Sequence, residues 1–121
     1  SGEVYKAWEY IEAMRKRPVF KKLFKEIMKD LDVIALPTMP MVAPKIHQRD
    51  VVINGKTFNV FEKFNYMALP ATFTGYPAMS LPVGFNQDNL PVGLQILADE
   101  YEEGKIYQVG YMLEKALALE I

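Results

Sequence analysis

The sequence predicts an α/β fold, and three observations carry that expectation. Apolar residues recur at helical spacing near both ends of the chain. Between them lie short runs rich in β-branched and aromatic residues. Those runs are joined by strong turn signals, Asn54-Gly55 and the stretch "NQDNLP" at 86–91. Size bounds the rest: 121 residues suit one domain, 1–121, with a modest core.

The elements follow in order. Val4, Ala7, Trp8, Ile11 and Met14 mark a first helix. Pro18 interrupts it and suits the first turn of a second, whose apolar face is Phe20, Leu23, Phe24, Ile27, Met28 and Leu31. Val33-Ile34-Ala35-Leu36 is a continuous apolar run, expected as a strand buried on both faces and stopped by Pro37. Residues 37–50 read as a proline-rich loop. Asn54-Gly55 then closes a two-residue hairpin, because both positions tolerate positive φ. A short helix is expected over 62–67 in an otherwise ambiguous stretch. Two further strands, 78–81 and 92–97, form a second hairpin. In the first, Met79, Leu81 and Val83 share one face while Ala78 and Ser80 share the other. Pro82 removes a ladder donor, which places it at an edge or a bulge. The last helix carries the stripe Ile106, Val109, Gly110, Leu113, Ala116 and Leu117, with Asp99 and Glu102 at capping-box spacing before it.

Composition excludes several function classes. Acidic and basic residues are interspersed at a net charge of −1, which argues against a nucleic-acid surface built on clustered cations. The run Arg15-Lys16-Arg17 with Lys21-Lys22 reads as a solvated helix face. With no cysteine, disulfides, thiolate metal sites and a thiol nucleophile are out. The same absence leaves the compartment unfixed, with a reducing cytoplasm as the default expectation, and no apolar run reaches membrane-spanning length and no signal-peptide pattern opens the chain. Ser1-Gly2 reads as either an expression remnant or a cut end.

Few residues are candidates for chemistry. Ser80 is one of two serines, and a serine nucleophile needs a base and oxyanion donors beside it. Its neighbours Ala78, Met79, Leu81 and Pro82 do not form the Gly-x-Ser-x-Gly elbow, so a small residue packed in a strand is the favoured role. His47 is the only histidine, and a single imidazole makes no zinc site. The acids Glu9, Glu12, Glu26 and Asp30 lie on the first helices. Asp99, Glu100, Glu102 and Glu103 crowd the start of the last, where a helix N-terminus accounts for them. Phe58, Phe61, Phe64, Tyr66, Phe73 and Tyr76 either fill the core or line a pocket. No Gly-rich phosphate loop, cofactor motif or metal-ligand cluster is present in the sequence.

Two compound motifs go further. "DVIALPTMP" at 32–40 precedes "GYPAMSLPVGF" at 75–85 and "LPVGLQ" at 90–95, in an order and spacing that resemble the C-terminal part of amidase-signature enzymes. That family includes amidases and the A subunit of glutamyl-tRNA(Gln) amidotransferase. The resemblance extends over nearly the whole chain. It implies that these elements are a piece of the amidase-signature mixed sheet flanked by helices.

The resemblance also implies a division of labour. The family's catalytic serine, second serine and lysine lie upstream, and no Gly/Ser-rich segment of that kind occurs here. No catalytic position is therefore carried over, and Ser80 matches a scaffold serine. The implied reaction of the parent enzyme is serine acyl transfer on an amide, with this chain supplying scaffold and pocket wall. Tyr66, Met67, Thr72 and Phe73 are expected near substrate. Asn65, where the amidotransferases often carry Asp, favours a general amidase, and Thr72 and Val83 are further departures. The implied partners are the upstream catalytic part or a second copy of the chain, with homo-oligomerisation expected, and no nucleic acid or membrane. The alternative reading is a non-catalytic interaction module that keeps the fold.

Overall fold

A computed structural model describes residues 4–118; Ser1-Gly2 lie outside the described residues. In chain order the elements are α1 (Ala7–Met28), β1 (Ile34–Pro37), β2 (Asp50–Ile53), β3 (Lys56–Asn59), α2 (Val60–Phe64), α3 (Leu69–Thr74), β4 (Ala78–Phe85), β5 (Pro91–Leu97) and α4 (Glu103–Leu117). β1, β5 and β4 form a three-stranded antiparallel sheet in that spatial order, and β2 and β3 form a separate hairpin.

The core lies where α4 crosses β4 and β5. Ile96, Ala98 and Ile106 are buried together, with Met79, Leu81, Leu94, Val109 and Leu113 packed around them. This is the period-2 face of the strands meeting the period-3.6 stripe of the helix, as the sequence pattern requires. Gly110 makes the close approach possible. A Cβ there would collide with the Met79 methyl and sit 3.2 Å from Leu81 Cδ1. β4 is an edge strand, and its register shifts between Pro82 and Gly84, so Pro82 sits at both an edge and a bulge. The Asn54-Gly55 turn also forms as expected, with φ of 50° and 75°.

Four expectations are corrected. The two N-terminal helices are one: α1 passes through Pro18 without a break. Proline forfeits one ladder bond, but the docking side chains Arg17, Lys21, Phe24 and Met28 keep one helical phase across it. The β1 strand is not buried on both faces. Ile34 and Leu36 are half-buried, whereas Ala35 and Pro37 are exposed because α4 packs chiefly on β4 and β5. The short helix over 62–67 is instead α2, ending at Phe64, followed by a turn and then α3, which starts with Pro70 in its first turn and stops at Gly75 (φ 80°). The capping box before α4 does not form. Tyr101 adopts φ 65° and offsets the chain, so α4 begins at Glu103, and the Asp99 carboxylate accepts the neighbouring Glu100 N–H at 2.8 Å instead.

α1 is attached along one narrow line. Phe20 meets Phe73 edge-on at 5.5 Å, and Phe24 leans on Tyr76 at 4.9 Å between ring centres. The Tyr76 hydroxyl donates to the Lys21 carbonyl at 3.3 Å, and the Lys21 ammonium pairs with Glu100. Burial raises the Tyr76 pKa above 10.0, helped by the nearby Asp99 and Glu100 carboxylates.

Candidate functional site

The sheet face opposite α4 holds a pair of hydroxyls. Thr38 follows β1 and its N–H donates to the Gly93 carbonyl at 2.9 Å. Ser80 stands on β4, on the far side of β5. Their oxygens lie 2.6 Å apart, meeting over Gly93 of the middle strand. A Cβ at 93 would lie 2.8 Å from the Thr38 oxygen and 3.1 Å from that of Ser80, so only glycine leaves room for the bridge.

This bridge forms part of the floor of a cleft of about 460 Å³ under the proline-rich loop, whose walls include Met39, Met41, Val42 and Phe64. No ionisable side chain lines it among the described residues. Among the described residues the hydrogen-bond partner of the Ser80 hydroxyl is that of Thr38. Beyond the shared wall of Pro44 and Phe64 lies a second cleft of about 700 Å³, lined also by His47, Gln48, Arg49, Val60, Phe61 and Asn65. Two hydrogen bonds fix its frame. The Val60 N–H donates to the Arg49 carbonyl at 2.8 Å, and the Asn59 side chain caps α2 by accepting from the Phe61 N–H at 2.9 Å.

The four residues expected near substrate are spread along α3 and the turn before it. Tyr66 is exposed beneath the Lys63 ammonium, 4.6 Å from its ring centre. The Met67 carbonyl accepts from the Gln95 side chain at 3.1 Å, which ties this turn to the sheet. Thr72 is exposed. Phe73 faces α1 and lines a shallow groove with Trp8 and Phe20. Sequence reasoning offers Phe61 and Phe64 as core or pocket residues but does not join them with Pro44, His47 and Arg49. Their signal is the adjacency of a proline-rich loop and an aromatic run, joined only when the β2–β3 hairpin folds back.

Comparison with known proteins fixes the lineage. The Amidase family model matches residues 1–107. The chain belongs to the amidase family. It is 38% identical over 108 residues to the A subunit of the glutamyl-tRNA(Gln) amidotransferase of Halothermothrix orenii, a match that covers 89% of this chain and 21% of that protein. A crystal structure described as an amidase superposes with a TM-score of 0.89 at 26% identity, over 95% of this chain and 26% of the other. The A subunit of the Thermotoga maritima glutamyl-tRNA(Gln) amidotransferase gives 0.68 at 28% identity, over 88% and 22%. The chain thus spans about a fifth of the length of the curated relatives it matches. No helix among the described residues is long and apolar enough to cross a membrane.

Proposed function

We propose that this chain is the C-terminal scaffold of an amidase-signature hydrolase, one folded unit that supplies strands, covering helices and part of the substrate pocket. The groups that break the bond belong to a preceding segment. There a serine hydroxyl attacks the amide carbonyl, its proton passes to the leaving amine, and water then releases the acyl group as a carboxylic acid. The observation that carries this reading is the apolar side of α1. Leu23 and Ile27, which helical periodicity assigns to a core, are 57% and 56% exposed. A chain that fills about a fifth of its relatives' length and shows such a face is a piece whose cover lies elsewhere.

The pocket wall in this reading includes Tyr66, Met67, Thr72 and Phe73 together with the two clefts beside the proline-rich loop. Asn65, where the amidotransferases often carry Asp, supports a general amidase over a glutamine-specific amidotransferase. The setting is cytoplasmic and the substrate a small amide. The same exposed surface favours a second reading, a non-catalytic module that self-associates through α1 and the free edge of β1.

One experiment separates the two. The chain is assayed on aliphatic and aromatic amides alone and with the preceding segment of a full-length amidase. The scaffold reading predicts no turnover alone and turnover on addition. Turnover by the isolated chain that Ser80→Ala abolishes overturns it, and tight self-association without any gain of activity favours the module.

A further inference from the structure

The two clefts beside the proline-rich loop differ in chemistry. The one above Ser80 is lined by uncharged side chains, whereas the larger one is lined by a guanidinium, an imidazole and two phenyl rings. Arg49 and His47 come from the loop, and Phe61 and Phe64 from α2. No carboxylate lines it among the described residues. Phe61 is 89% exposed, so a large apolar ring on the lining stands mostly in water.

The loop wall is braced from within. Gln48 accepts the Lys45 N–H and donates to the Asp50 carbonyl, both at 2.9 Å, and so is used up holding the turn. His47 sits at φ 65°, a left-handed conformation that residues with a Cβ adopt uncommonly. Such a conformation, held by a braced loop at a cleft wall, is the pattern expected of a binding surface. The Arg49 carbonyl bond to Val60 fixes the spacing between the loop and α2, so the two walls are set before any ligand arrives.

We propose that this cleft binds a small aromatic carboxylate, with Phe61 and Phe64 taking the ring and Arg49, aided by the His47 imidazole, taking the carboxylate. A guanidinium matches a planar carboxylate in a forked geometry, and the volume is that of an ordinary small-molecule site. The assignment rests on the pocket-wall reading above and deepens it: the favoured amides carry an aryl acyl group with its own free carboxylate.

Ligand-observed saturation-transfer NMR on the 121-residue chain tests this for monomer or oligomer alike. Benzoate, benzamide and acetate are the probes. Benzoate should bind about tenfold more tightly than acetate, and Arg49→Gln should weaken benzoate about tenfold while leaving benzamide within about twofold. Phe64→Leu should weaken both aromatic probes, and Lys29→Gln, outside the cleft, should change neither. Absence of benzoate binding, equal binding of benzoate and acetate, or indifference to Arg49→Gln overturns the proposal. The readout is binding rather than turnover, so failure of the complementation assay and failure here are separate results.

Discussion

The two long helices both carry apolar stripes, sharper in α4 than in α1, and meet opposite fates. α4 buries Ile106 to 3% exposure and lays Gly110 against Met79 and Leu81. α1 is longer by seven residues, yet only Met28 is fully buried, and Trp8 and Ile11 remain 59% and 51% exposed. Periodicity states that a helix has an apolar face, not that its partner lies in the same chain. In α4 the partner is the sheet formed just before it. In α1 the contacts include buried Met28, two aromatic pairs, one tyrosine hydroxyl and one ion pair, with most of the stripe left to water.

That contrast can be broken at its strong end first. Ile96→Ala, at a side chain with no exposure, should cost about 2–5 kcal/mol in urea unfolding. Leu23→Ala on α1 should change the stability of the isolated chain by less than about 0.5 kcal/mol. Equal losses at the two positions would mean that α1 has found its partner already.

Gly93→Ala comes next, at about 1–3 kcal/mol, because the added methyl enters the space where the Thr38 and Ser80 hydroxyls meet. Ser80→Ala removes the bridge without adding bulk and should cost less, about 1 kcal/mol. A reversed order in the urea midpoints would show that the hydroxyl bond, not the space, governs this part of the sheet.

The smallest effect is expected at Tyr76, where α1 joins the rest. Its folded pKa lies above the ordinary value of 10.0, so the folded state holds the proton more tightly. The stability this provides is complete below pH 10 and is lost as pH rises through the raised value. Unfolding followed between pH 9 and about 11 should show that loss, and Tyr76→Phe should remove it. An identical pH profile in the variant would contradict the linkage.

Much of the sheet and of α4 was legible because local signals and tertiary partners agree. Asn54-Gly55 forces its turn, Pro82 falls at the bulge, and the 106–113 stripe has the strands to cover. What could not be read depended on things outside the local pattern. Proline chemistry alone places a break at Pro18, but the docking line from Arg17 to Met28 keeps one helix. An apolar run alone implies two-sided burial for β1, but one covering layer is absent from the described residues. The clefts were illegible for a different reason: Arg49 and Phe61 are twelve residues apart and line one cleft only after the β2–β3 hairpin reverses the chain. Thr38 gives no local sign of being the partner of Ser80, because the two are 42 residues apart.

Hydrogen exchange on α1 and α4, measured in the isolated chain and again with the preceding amidase segment bound, tests the central claim most directly. The account predicts that α4 is well protected in both states and that α1 gains protection only on binding. An α1 as protected as α4 in the isolated chain, or unchanged when the segment is added, would contradict it.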